Sequence, residues 1–121
     1  MLRLRQVVIA ARDLEGAVDR LCTDLKLRVC FNDPGVSEFG LHNALMTIGD
    51  QFLEVVSPTM GGTTAGRLLD KRGGDGGYMA IYEVDDLSTR DAELAAAARR
   101  CSFHRDDVCH PRAFMSTGVS A

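Results

Sequence analysis

The chain has 121 residues, 45% of them hydrophobic and 26% charged, enough for one soluble globular domain with a real core and too few for two. A formal net charge of -3 and an isoelectric point near 5.5 give no broad positive field for nucleic acid or an anionic membrane. No apolar run approaches the ~18 residues that span a bilayer, and the four cysteines lack the dense spacing of a secreted disulfide scaffold, so a reducing cytoplasm is the expected location.

Residues 2–11 predict a first strand rather than a signal peptide, with Val7 and Ile9 on one side and Leu4, Gln6, Val8 and Ala10 on the other. Asp13 stands where a helix cap is wanted, and Leu14, Ala17, Val18, Leu21 and Leu25 form the apolar stripe of a helix. Residues 27–31 read as a short second strand. The run Asn32-Asp33-Pro34-Gly35 has the composition of a turn.

Residues 40–58, GLHNALMTIGDQFLEVVSP, predict a β-hairpin closed by the two-residue loop Gly49-Asp50, whose glycine can adopt the positive φ of a primed turn. That turn sets the register: Ile48 opposite Gln51, Met46 opposite Leu53, Leu45 opposite Glu54 and Asn43 opposite Val56. Alternation then puts His42, Ala44, Met46, Ile48, Leu53 and Val55 on one face, suited to packing on a helix. The other face carries Leu41, Asn43, Leu45, Thr47, Phe52, Glu54 and Val56, an apolar surface with a few polar groups, as ligand-holding surfaces are lined. Asn43 is thus the pocket residue and His42 the one at the helix or a loop; a longer turn would exchange them, so both remain candidates.

Glu54 is the residue to explain. It reads either as a half-buried strand carboxylate paired with a neighbour such as an arginine or as a functional group. A buried charge needs a metal, a hydrogen bond or a raised pKa to compensate it.

Residues 59–77 form a glycine-rich connector in which Thr63 or Thr64 caps a short helix running through Lys71. The run 73–77 lacks the Gly-Lys-Ser/Thr ending of a phosphate loop and reads as a linker. After it the pattern restarts. VVIAARDL (7–14) and AIYEVDDL (80–87) align so that Asp13 matches Asp86 and Leu14 matches Leu87, each a β-rich run, an acidic cap and a helix. The second helix is expected over 88–100, with Ser88 and Asp91 at capping-box spacing. Two similar modules follow, residues 1–58 and 78–121, the second much the shorter.

The strand that opens a βαβββ unit, the Asp-Leu at its helix, the hairpin ending in LEVVSP and the second Asp-Asp-Leu together resemble the vicinal oxygen chelate superfamily, which includes glyoxalase I, bleomycin-resistance proteins and extradiol dioxygenases. The likeness runs from Leu2 to about Arg99. It implies an α+β fold of paired βαβββ modules forming a cup-shaped mixed sheet, the second module abbreviated. It also implies a divalent metal such as Zn, Ni, Mn or Fe, bound by residues of the first and last strand of each module. Gln6 and Glu54 stand at two of those positions, with Val8, Leu45 and Phe52 as apolar wall.

The third position carries Met79, whose thioether suits a ligand-contact role better than a hard cation. The fourth falls beyond Ala121, and no Asp or Glu follows Asp107. His110-Pro111-Arg112 suggests internal shortening of the second module. Cys101, His104, Cys109 and His110 lack the paired spacings of a zinc site.

The expected function is therefore a glyoxalase- or bleomycin-resistance-like protein holding a small organic ligand, its metal site degenerate or absent. The alternative is a metal-dependent lyase, isomerase or dioxygenase in which Glu54 is ligand or proton shuttle and a second chain completes the site. The uncovered sheet edge of the short module predicts a homodimer, with no nucleic-acid or membrane partner.

Overall fold

The computed structural model describes residues 1–96, 103–105 and 113–118. They form an α+β protein, as expected, in the element order β1 (Leu2–Ala10), α1 (Leu14–Leu25), β2 (Val29–Phe31), a 3₁₀ helix (Pro34–Phe39), β3 (Leu41–Ile48), β4 (Gln51–Pro58), α2 (Thr64–Arg72), β5 (Gly76–Val84), α3 (Leu87–Ala96), β6 (Phe103–Arg105) and β7 (Ala113–Gly118). The chain divides into two units, one of Val7–Tyr78 and one of Met1–Gln6 with Met79–Ala121. No helix among the described residues is long and apolar enough to cross a membrane.

In the unit Val7–Tyr78 the sheet runs β2-β3-β4-β1. The hairpin pairs as its loop dictates: Ile48 faces Gln51, Met46 faces Leu53, Leu45 faces Glu54 and Asn43 faces Val56. Gly49, at φ +59°, makes the turn. Ala44, Met46, Leu53 and Val55 form a core with Ala11 and Val18, and Ile9, Leu14, Ala17 and Leu21 pack against it. The predicted helix-facing side of the hairpin is therefore the side that α1 covers.

Asp13 caps α1 by accepting from the Gly16 N–H at 3.1 Å. At the far end of β1, the Ala11 N–H donates to the Val56 carbonyl at 2.9 Å and the Ser57 hydroxyl donates to the Ala11 carbonyl at 2.6 Å, tying β1 to β4. β2 has three residues where the sequence suggested five: Lys26 is the left-handed cap of α1 and the Leu27 N–H still donates to the Cys22 carbonyl, and the pairing of β2 with β3 shifts register between Val29 and Phe31.

The turn after β2 is more than a reversal. Asp33 caps a 3₁₀ helix through the Gly35 N–H, with Pro34 in its first turn. Gly40 ends it at φ +69°, where a Cβ would come within 2.8 Å of Thr63 Cγ2 and 2.9 Å of Met60 Cγ, so both conformation and space require glycine. Thr63, not Thr64, caps α2, which buries Ala65 and Leu69. Arg12 fixes the helix exit: its guanidinium meets Asp70 at 3.0 Å and its backbone N–H donates to Asp75 at 2.9 Å. β5 begins at Gly76, inside the expected linker.

In the other unit the order is β1-β5-β7-β6. β5 pairs antiparallel with β7 from Val84 opposite Ala113 to Met79 opposite Gly118, and β6 pairs antiparallel with β7. After its helix the described residues of this module include two strands, β6 and β7. Asp86, rather than Ser88, starts α3: it accepts from the Thr89 N–H at 3.2 Å and the Thr89 hydroxyl at 2.6 Å. Those bonds hold the Asp86 carboxyl below the ordinary aspartate range. Asp13–Gly16 and Asp86–Thr89 are the same contact in the two modules, so the sequence repeat is a repeat of caps. Glu83, almost fully buried, has the Arg5 guanidinium 3.5 Å away.

Candidate functional site

Asn43 and Glu54 point to the same face from diagonal positions on β3 and β4, on the side away from α1. Both are buried, at 3% and 6% exposure, and the Asn43 Nδ2 donates to Glu54 Oε1 at 2.6 Å. The amide is oriented from behind, because the Asp33 backbone N–H donates to Asn43 Oδ1 at 2.8 Å. An amide oxygen only accepts and the NH2 only donates, so the Asp33 bond leaves the NH2 turned to the carboxylate. Asn32 completes the support, its Nδ2 donating to the Asn43 carbonyl at 2.6 Å. Asp33 presents its N–H because Pro34 follows it and holds it extended, at φ -85° and ψ 112°.

Around this pair the face is apolar. Val56 and Leu41 are buried beside it, Leu45 and Phe52 are half-buried, and Val8 and Ala10 are buried on β1. A fixed carboxylate among such groups is poorly hydrated, so it interacts strongly with any donor that reaches it.

Of the residues singled out in the sequence, Asn43 and Glu54 are in contact, and Leu45, Phe52 and Val8 belong to the same unit. His42 is exposed, and its imidazole makes no hydrogen bond or ion pair among the described residues. Gln6 and Met79 belong to the other unit, both half-buried, Met79 opposite Gly118. Cys101, Cys109 and His110 lie outside the described residues, and of the tail cluster only His104 falls in a described strand, β6.

Two contributors were missed by sequence reasoning, Asn32 and Asp33. The Asn-Asp-Pro-Gly run has the composition of a turn, and its donors serve the edge of β3 at Asn43.

A divalent metal implied by the superfamily resemblance finds a poor match in these groups. Glu54 receives an amide donor on Oε1, and no group of three or more His, Cys, Asp or Glu among the described residues could hold a metal ion.

No family model and no curated protein matches the chain. Solved structures do. Methylmalonyl-CoA epimerase from Mycobacterium tuberculosis is 22% identical over 93% of this chain and 77% of its own, with a TM-score of 0.73. A methylmalonyl-CoA epimerase in complex with methylmalonyl-CoA and ammonium is 18% identical over 99% and 96%, with a TM-score of 0.73. A hypothetical protein from Bacillus halodurans C-125 is 18% identical over 94% and 83%, with a TM-score of 0.77. The chain shares the fold of these structures.

Proposed function

We propose that the chain binds a small, partly apolar organic ligand on the strand face of Glu54, with the carboxylate meeting the ligand directly and without a metal between them. The observation that carries this reading is the buried bond from Asn43 to Glu54, aimed in turn by Asp33. A chain of donors fixes one carboxylate in apolar surroundings, where it accepts a ligand's hydrogen bond or takes its proton. Leu45, Phe52 and Val8 supply the apolar wall.

Neighbours of the same fold include a methylmalonyl-CoA epimerase bound to methylmalonyl-CoA, which supports acyl-CoA thioesters as the first ligand class to try. In the competing reading, Gln6 and Glu54 ligate Zn, Ni, Mn or Fe with help from a second chain, for lyase, isomerase or dioxygenase chemistry. The donor pattern at Glu54 argues against it. Homodimerisation is supported by the edge strand β2, whose Val29 and Phe31 are exposed.

Calorimetric titration of methylmalonyl-CoA and propionyl-CoA into the native chain and Glu54→Gln tests the proposal. Glutamine keeps the size and still accepts from Asn43 but loses the charge. The native chain is expected to bind at least one thioester, and the variant to bind it about tenfold more weakly or worse. Equal affinity in the two proteins would remove Glu54 from ligand contact.

A further inference from the structure

A cleft of about 310 Å³ opens in the unit Val7–Tyr78 where α1 begins and the 3₁₀ helix meets β3. That volume is at the small end of the range for ligand pockets. Leu14, Pro34 and Leu41 give it apolar walls, and Asp33, Ser37 and His42 give it polar groups. Glu54 does not line it, and neither does any lysine or arginine. Asp33 Oδ1 is occupied by the Gly35 N–H at 2.8 Å, whereas Oδ2 has no hydrogen bond or ion pair among the described residues, nor do the Ser37 hydroxyl and the His42 imidazole.

A pocket of this kind selects by charge. Its one carboxylate forms charge-assisted hydrogen bonds with an ammonium group and repels an anion, and no lysine or arginine stands in the lining to reverse that preference. Asn32 and Asn43 add neutral amides to the lining, and the apolar walls need an apolar body of modest size. We propose that this cleft binds a small primary amine or similar organic cation, its ammonium on Asp33 with Ser37 and His42 as further acceptors and its body against Leu14, Pro34 and Leu41. The site is separate from the one at Glu54. The two adjoin at Asn43, which lines the cleft and donates its amide to Glu54.

Three probes of one shape and different charge test this: phenethylamine, phenethyl alcohol and phenylacetate, each titrated into isotopically labelled native chain and followed by amide resonances. Phenethylamine is expected to give saturable shifts centred on Leu14, Ser37 and His42, the alcohol weaker ones, and phenylacetate none that saturate. Asp33→Asn is expected to weaken the amine about tenfold. Asparagine caps as well as aspartate does, so the 3₁₀ helix stays in place.

The proposal is overturned if phenylacetate binds as well as the amine. It is equally overturned if Asp33→Asn binds the amine unchanged, or if the amine gives no saturable shift. Because Glu54 is not in the lining, the amine and thioester titrations can fail independently.

Discussion

Asn43→Asp is expected to cost about 3–5 kcal/mol at neutral pH, the range for leaving a buried charge without its partner. The new side chain is isosteric and still accepts from the Asp33 N–H, but it sets a second carboxylate against Glu54 across a buried distance of 2.6 Å. Two carboxylates that close cannot both ionise, so one keeps a proton in the folded state and its pKa rises above the unfolded value. The sign of the pH dependence follows. Below about pH 4 both states carry the proton and the penalty is small, since the protonated aspartate donates to Glu54 as the amide did; above it the penalty grows with pH. Urea melts at a series of pH values check this. A variant as stable as the native chain at neutral pH would mean that Asn43 and Glu54 do not meet in a buried place.

Met46→Ala carries the second large effect, about 2–5 kcal/mol of lost stability and a fall in Tm of roughly 10 °C or more. Met46 is fully buried in the layer between the hairpin and α1, with Val18, Leu53 and Val55 around it and its sulfur 3.7 Å from that of Cys22. Met46→Leu, close in volume, is expected to cost less than about 1.5 kcal/mol. The comparison reads the register of the hairpin. A slip of one residue would move position 46 to the other face and make the alanine variant nearly silent.

That register was legible because a two-residue glycine loop leaves a single pairing, and pairing plus alternation fixes every side chain's face. The repeat was legible for a similar local reason: each module needs an acceptor at the start of its helix, and Asp13 and Asp86 supply it. What escaped the sequence depends on the backbone. Asp33 acts on the site through its N–H, which carries no residue signature, and the 3₁₀ helix that aims it is built from a turn-like composition. Glu83 and Arg5 come together from strands far apart in the chain, and nothing in either local pattern announces the pair. The start of β5 at Gly76 was hidden by glycines that read as linker.

In the proposed function Glu54 serves a ligand through hydrogen bonding, not through a metal. The most direct test is the metal content of the purified chain after growth with zinc, nickel, manganese and iron and then dialysis, measured for the native protein and Glu54→Ala. Far less than one ion per chain is expected in both, with thioester binding unchanged by a chelator. A stoichiometric ion in the native chain that Glu54→Ala loses, with binding abolished by the chelator, would contradict it.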